Sequence, residues 1–380
     1  KNEDIFNKLI QYVMVPGRLD EDVPLNLLQR TIHSSDYIKL LEILENEDLF
    51  IINETNDGDF LVSARHPIEA KIICNWRFGG ARDEIKHCLD LISNMYHIGG
   101  TRLDFDENAE LRFVLNLVKK LGPNGPEKDR YMDYYHEIST KLAELRQDQS
   151  IFIPNLILQE ANLSREYIRT RKGIPLPNTM EILDKAIYLL SSTILKLKRS
   201  KFNNIALIDQ MMVELAAIKS TKLTHLLNHD VSSNILSDFD SIHRDLDEVL
   251  KKSVNDEHAL DIYGWSTEHI IQKSSLSELE KNEILTKALT AIEIGETSAF
   301  GVNNRILDRK RNLYRLMGEK ELSHEIFEEL KKRGSRIGYL RLAIEAISKI
   351  PLDVASYNEE EISIYKENFD FLQKDRDFIK

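Results

Sequence analysis

The stretch that decides the fold runs from residue 49 to residue 75 and reads LFIINETNDGDFLVSARHPIEAKIICN. Two short apolar runs in it flank Asn56-Asp57-Gly58. An Asp-Gly pair between apolar runs predicts a β-hairpin, because the tight turn requires positive φ angles that glycine adopts at little cost. Pro67 follows, at a place where the first turn of a helix tolerates proline. We therefore expect strands near 49–53 and 59–63 and a helix directly after them.

Helical patterns precede this hairpin. Residues 4–14 carry apolar side chains at helical spacing, and Val15-Pro16-Gly17 is expected to end that helix. Pro24 is expected to open a second helix, and Ser34 or Ser35 to cap a third. The order helix, helix, hairpin, helix is typical of a winged-helix domain.

Composition and charge narrow the class of protein. The chain has 380 residues, enough for two or three domains, and a net charge of −12. The helix over residues 35–48, which would lie in a DNA groove, carries five acids and one lysine. Phosphate contacts require cations, so we expect no nucleic-acid partner. No apolar run is long enough for a membrane span, and Cys74 and Cys88 fit buried thiols of a reducing cytoplasm.

The sequence pattern of the rest of the chain predicts successive helices joined by short loops. This pattern predicts an α-solenoid of helical hairpins after the winged helix. One stretch fits a tetratricopeptide repeat, in which a small residue lets two helices approach and an aromatic residue fills the groove. Its residues are Tyr314, Gly318, Ser323, Phe327 and Leu330. The chain therefore divides into residues 1–18 (the end of a preceding helical domain), 19–100 (the winged helix), 101–175 (a helical linker with the first sensor helices) and 176–380 (a TPR-like sensor domain).

Signs of catalysis are weak throughout the sequence. It contains no Gly-x-x-x-x-Gly-Lys-Ser/Thr phosphate loop, so we expect no nucleotide hydrolysis by these residues. His225 and His229 share a helix face at a spacing that zinc can use, but Leu226 stands where a metalloprotease needs glutamate. We interpret the pair as structural, and expect no metal, no catalytic residue and no enzyme activity within this chain.

The segment Arg65-His66-Pro67-Ile-Glu-Ala resembles the winged-helix part of STAND nucleotidases, the signal-transduction ATPases related to NOD-like immune receptors. Leu158-Gln159-Glu160-Ala161 and Arg165-Glu166-Tyr167 are similar to the helical sensors of bacterial antiviral members of that family. Receptors of plants and animals have Met-His-Asp where this chain has Arg-His-Pro. The resemblance is most useful over residues 1–170.

The resemblance implies a function and a site. His66, with Arg65 beside it, would contact a phosphate of bound ADP or ATP, while the phosphate loop and the Mg²⁺ ligands would belong to an upstream nucleotide-binding domain. The helical repeats would bind a foreign protein, such as one made by a phage. That binding would favour a homo-oligomer of the parent protein, in the cytoplasm and away from membranes.

Other interpretations of the same residues stay open. His66 fits a plain helix cap, and Arg65 can pair with Glu69 four residues later. A non-enzymatic adaptor or scaffold with a docking winged helix is the main alternative for the whole chain. A transcription regulator with a helical effector domain is a further alternative, which the acidic helix argues against.

Overall fold

The structure is a computed structural model that describes residues 2–33, 37–55, 58–96, 108–148, 152–171, 173–200, 204–229, 235–298 and 301–333. These residues are mostly helical and include one small antiparallel sheet. In chain order the elements are α1 (Asn2–Arg18), β1 (Val23–Pro24), α2 (Leu25–Thr31), α3 (Tyr37–Asn46), β2 (Phe50–Glu54), β3 (Phe60–Ala64), α4 (Pro67–Arg77), α5 (Ala81–Ser93), α6 (Ala109–Leu121), α7 (Lys128–Tyr131), a 3-10 turn (Met132–Tyr134), α8 (Tyr135–Asp148), α9 (Pro154–Thr170), α10 (Leu176–Arg199), α11 (Ile205–Asn228), α12 (Ile235–Leu250), α13 (Glu257–Lys273), α14 (Glu278–Glu296), α15 (Asn304–Met317) and α16 (Lys320–Lys332).

The hairpin is confirmed within one residue of its predicted bounds. Strands β2 and β3 pair antiparallel, with Phe50 opposite Ala64 and Glu54 opposite Phe60. Gly58 has φ +81°, the left-handed conformation that the turn requires of it. The N–H of Thr55 donates to the carbonyl of Asp59 at 2.8 Å and closes the loop.

The sheet has a third strand that the sequence did not predict. β1 pairs with β3 through Val23 opposite Val62, so the strand order is β1-β3-β2. Pro24 belongs to this strand and is also the N-cap residue of α2, which begins at Leu25, so the prediction that Pro24 opens the helix is confirmed within one residue. A strand of two residues has no periodicity to detect, and an edge strand tolerates a proline that cannot donate a ladder hydrogen bond.

Helix α1 also corrects a prediction, because it continues through Pro16 and Gly17 to Arg18. Gly17 is needed for close packing. A Cβ atom at Gly17 would lie 2.7 Å from the Cβ of Ala64 on β3, a distance that real side chains do not adopt. The glycine therefore lets the end of α1 approach the sheet, and it brings Arg18 into the protein interior.

The chain forms two compact units, residues 1–221 and 222–380. In the first unit, α1 packs against α4, α5 and β3, and the buried side chains of these elements join one apolar core with those of α6 to α9. Arg146 on α8 donates two hydrogen bonds to Glu160 on α9, at 3.0 Å each, and links this helix pair.

In the second unit, α13 packs against both α14 and α15, while α15 packs against α16. Gly264 allows the close approach of α13 to α15, because a Cβ there would lie 2.9 Å from the Cβ of Arg309. Arg309 in turn donates to Asp261 and Glu268 on α13, both at 3.0 Å.

The stretch that fits the tetratricopeptide pattern forms the α15–α16 hairpin. Gly318 ends α15 in the left-handed conformation, and Ser323 Oγ donates to the Arg311 carbonyl at 3.2 Å across the two helices. Phe327 and Leu330 are buried, as expected of the groove-filling positions. The further helices expected after residue 335 lie outside the described residues.

Candidate functional site

The sequence directs attention to the beginning of α4, where the structure places His66 and Arg65 side by side on the surface. His66 is the N-cap residue of α4, and its Nδ1 accepts a hydrogen bond from the backbone N–H of Ile68 at 3.1 Å. The helix continues with Pro67 at its first position, which needs no donor there. The imidazole thus satisfies one of the N–H groups that a helix start leaves unpaired.

Arg65 pairs with Glu69 at the same end of the helix. Its Nε and Nη2 lie 3.1 and 2.7 Å from the two carboxylate oxygens of Glu69. This pairing raises the pKa of Arg65 and lowers the pKa of Glu69 through the hydrogen bonds between them. Both groups are well exposed to solvent, so the pair contributes little stability.

The geometry fixes the chemistry that the imidazole of His66 can perform. A ring nitrogen that accepts a hydrogen bond carries no proton, so the neutral ring holds its proton on Nε2. Among the described residues, none is bonded to Nε2. The group is therefore a donor at a helix N-terminus, where the backbone dipole favours anions. A phosphate group is the type of ligand that this arrangement fits.

A cluster of charged and polar side chains around one buried glutamate contacts α4 on its other side. We call it the Glu84 cluster, and its members lie on α1, α4, α5, α7 and the residue that caps α7. They are Arg18, Lys71, Asn75, Glu84, Glu127, Arg130 and Tyr131.

Glu84 is the centre of this cluster and is completely buried. Its carboxylate accepts hydrogen bonds from Arg18 Nη1 at 3.2 Å, from Arg130 Nε and Nη2 at 3.0 and 2.8 Å, and from Tyr131 Oη at 2.8 Å. Burial and the charge of Glu84 raise the pKa of Tyr131, so its hydroxyl stays protonated as a donor. A buried carboxylate with two guanidinium partners has its charge compensated in place.

Helix α4 joins the cluster through Lys71 and Asn75. Lys71 Nζ lies 2.6 Å from a carboxylate oxygen of Glu127, and Asn75 accepts from Arg18 at 2.8 Å. Burial acts to raise the pKa of Glu127, but hydrogen bonds from Lys71 and Arg18 outweigh it and the pKa is lowered. The helix that carries His66 is therefore held at its centre by the end of α1 and the start of α7.

Sequence reasoning missed the Glu84 cluster, although one signal was present. Glu84 lies in register with Cys88 and Leu91, three positions of one otherwise apolar face of α5. An acid on an apolar face predicts a buried partner. The sequence did not indicate a role for Arg18, because Pro16-Gly17 predicts that the helix ends before this residue.

A surface cavity of about 550 Å³ lies near β1 and α6, with Asp20, Glu21 and Asp22 on one side. Burial raises the pKa values of Glu21 and Asp22. Lys120 Nζ already compensates this acidic group, at 2.8 Å from Glu21 and 2.6 Å from the Asp20 carbonyl. We therefore give the cavity no functional role.

In the histidine pair at zinc-compatible spacing, one ring nitrogen already has a contact within the chain. His229 lies just beyond the end of α11, and its Nδ1 is 2.9 Å from the carbonyl oxygen of His225. Cys74 and Cys88 are buried free thiols, and burial raises the pKa of Cys74 to about 12. Within the described part of the chain, no three potential metal ligands come together.

Comparison with known proteins finds no matching family model, no similar curated protein and no similar solved structure. Among the helices that the structure describes, none is both long and apolar enough to cross a membrane. The candidate site therefore stands on its own geometry.

Proposed function

We propose that this chain is the regulatory and sensing part of a STAND ATPase of the antiviral type. The proposal treats residues 19–100 as a winged helix, and the element order β1-α2-α3-β2-β3-α4 supports it. It also treats the second unit as a solenoid, which the α13 to α16 packing supports. The observation that carries the proposal is the exposed imidazole of His66 at the N-terminus of α4, with a donor nitrogen directed away from its cap.

In the proposed mechanism His66 holds a closed state. The Nε2–H of His66 donates to a phosphate of ADP that an upstream nucleotide-binding domain holds together with Mg²⁺. Bound ADP would stabilise the closed state, and His66 would be the donor that this chain contributes to it. The cap bond keeps the ring oriented, and the Glu84 cluster fixes the helix behind it. Arg65 can approach the same phosphate if its ion pair with Glu69 opens, which costs little at an exposed site.

The helical array is the proposed sensor. A foreign protein that binds the array more tightly in the open state would shift the equilibrium toward that state by its difference in affinity. The open parent protein would then assemble into a homo-oligomer in the cytoplasm. The chain described here would contribute regulation and recognition, and no catalytic residue.

The direct test of the family assignment is the complete coding sequence. The proposal requires a phosphate loop and Mg²⁺-binding acids upstream of Lys1, followed by this chain. A complete gene without any nucleotide-binding module would refute it, whatever the behaviour of His66.

One specific observation favours the alternative, a non-enzymatic adaptor or scaffold that docks through its winged helix. Both predicted site residues already have structural partners, His66 as a cap and Arg65 with Glu69. On that account the substitution His66→Ala costs roughly 1 kcal/mol of folding stability and nothing else. The two accounts therefore differ in whether ADP binding responds to this substitution.

A further inference from the structure

Strand β2 lies at one edge of the small sheet, because the strand order β1-β3-β2 gives it a neighbouring strand on one side only. Hydrogen bonds just beyond its two ends show which of its backbone groups face β3. The N–H of Arg65 donates to the carbonyl of Leu49 at 3.0 Å. At the other end, the N–H of Thr55 donates to the carbonyl of Asp59 at 2.8 Å. Bonded and non-bonded pairs alternate along an antiparallel ladder, so the odd-numbered residues of β2 are the ones bonded to β3.

The even-numbered residues of β2 therefore direct their backbone groups away from the sheet. The N–H of Phe50 donates to the Glu47 carbonyl at 3.3 Å, in the turn before the strand. Among the residues that the structure describes, no hydrogen bond reaches the outward N–H or carbonyl of Ile52 or Glu54. Such an edge is a template to which another extended chain can add as a strand.

Five exposed acidic side chains flank this edge, on α3, in the turn before β2 and at the end of β2. They are Glu42, Glu45, Glu47, Asp48 and Glu54. None of them forms an ion pair in the part of the chain that the structure describes. Arg65 interacts electrostatically with Asp48, but its hydrogen bonds go to Glu69. Because α3 packs against β2, the open edge lies beside negative charge that the chain itself leaves uncompensated.

We propose that the edge of β2 binds an extended, basic segment of a partner protein, which adds to the sheet as a fourth strand. The outward groups of Ile52 and Glu54 form the backbone hydrogen bonds to this segment. The acids at the two ends of the edge pair with its lysine or arginine side chains. Ile51 is 41% exposed on one face of the sheet at this edge, where it gives alternate side chains of the segment an apolar contact.

The charges distinguish this occupant from the others that an open edge can take. A second copy of β2 in antiparallel pairing would bring Glu54 of each copy toward Glu47 and Asp48 of the other, and like charges across such a pair are destabilising. A nucleic acid would be repelled for the same reason. A basic extended polypeptide satisfies both the open backbone groups and the uncompensated carboxylates.

Peptide binding to the 380-residue chain tests the backbone and the charge separately. The probe is a peptide of about eight residues that alternates lysine and valine, with blocked ends and a fluorescent label, and its binding is followed by anisotropy. It should bind, and added salt should weaken the binding. The same peptide with methylated backbone amides keeps its charge but has no donors, so it should bind at least about tenfold more weakly. A peptide that alternates glutamate and valine should not bind.

Two substitutions at Glu54 make the same distinction on the side of the protein. Glu54→Gln removes only the charge, while Glu54→Pro removes the charge and the outward N–H. Glu54 and Phe60 form a non-bonded pair, so proline there leaves the β2–β3 ladder intact. Glu54→Pro should therefore bind the lysine–valine peptide about tenfold more weakly than Glu54→Gln does. Glu181→Gln, which removes an exposed acid on α10, should leave binding unchanged.

Amide exchange in the unsubstituted chain provides a readout that does not depend on the folding of any variant. When the lysine–valine peptide is bound, the N–H groups of Ile52 and Glu54 should gain protection, as followed by NMR. Those of Ile51 and Asn53 should change little, because they are already bonded to β3.

Equal binding of the methylated and unmethylated peptides would overturn the proposal, because charge alone would then hold them. Unchanged exchange at Ile52 and Glu54, equal binding by the two Glu54 variants, or no binding of the lysine–valine peptide up to about 1 mM would do the same. The contact requires no nucleotide. Its failure would leave the proposed role of His66 untouched, and the reverse also holds.

Discussion

Removing the charge of Glu84 should weaken the first unit far more than any surface substitution. The carboxylate is completely buried and accepts four hydrogen bonds from Arg18, Arg130 and Tyr131. Glu84→Gln keeps the shape of the side chain but leaves two guanidinium groups without their shared anion.

The expected loss of unfolding free energy depends on which partners Arg18 and Arg130 retain. Breaking a buried ion pair by removing one partner costs about 3–5 kcal/mol. Arg18 retains Glu127 at 2.8 Å, and Arg130 is partly exposed and can reach water. The cost should therefore lie at the lower end, about 3 kcal/mol of unfolding free energy.

Native-state hydrogen exchange resolved by peptide is the appropriate assay, because the chain has two units that need not unfold together. Amides of α1, α4 and α5 that exchange through global opening of the first unit should lose protection by roughly 100-fold. Peptides from α13 to α16 should be unchanged.

Glu181→Gln is the matched control. Glu181 pairs with Lys185 at 2.6 Å on an exposed face of α10, so its loss should leave the unfolding free energy almost unchanged. If Glu84→Gln were no more disruptive than Glu181→Gln, the Glu84 cluster would not hold the first unit together.

Three further predictions concern other parts of the chain. Burial lowers the pKa of His243 far below its usual value, so the stability that its neutral form contributes is complete at neutral pH and is lost as the pH falls below about 6.5. His243→Gln should therefore flatten the acid dependence of unfolding in the second unit. An unchanged slope between pH 7 and pH 5 would contradict this. Gly17→Ala should lower the unfolding free energy by about 1–3 kcal/mol through its clash with Ala64, and a smaller loss in an Ala64→Gly background, measured by a double-mutant cycle in denaturant, would identify that contact as the cause. The 380-residue chain should hydrolyse no ATP in the presence of Mg²⁺, and turnover that a substitution within this chain abolishes would refute the assignment of catalysis elsewhere.

Local chemistry explains how much of the fold the sequence predicted. The hairpin was predictable because Asp57-Gly58 specifies a turn through backbone sterics alone, and the apolar runs beside it specify strands. The α15–α16 hairpin was predictable for the same reason, since Gly318 marks a helix end and the buried positions follow helical spacing.

The features that the sequence did not predict depend on interactions between residues far apart along the chain. Pro16-Gly17 resembles a helix end locally, but contact with Ala64, almost fifty residues later, decides its role. β1 exists only because β3 offers a partner for Val23. The Glu84 cluster joins residues from four helices, and a single sequence does not reveal which acid meets which arginine.

The sequence predicted where the candidate site lies. Arg65-His66-Pro67 marks the start of α4, and the cap bond and the Arg65–Glu69 pair are the local structures that these residue types favour. The function of the exposed Nε2 depends on what lies opposite it, which neither local propensity nor the described residues determine.

ADP retention by the complete protein that carries this chain is the most direct test of the central claim. His66→Asn is the decisive variant, because asparagine caps a helix through Oδ1, while its shorter side chain holds its amide donor short of the position that Nε2 occupies. A hydrogen bond to a phosphate contributes roughly 1.5–3 kcal/mol, so the account predicts ADP retention lowered about 10- to 150-fold together with activity in the absence of a trigger. Asn108→Ala, which removes the cap of α6, should lower stability without changing ADP retention. Wild-type ADP retention by His66→Asn would contradict the account and assign His66 to the structure of α4 alone.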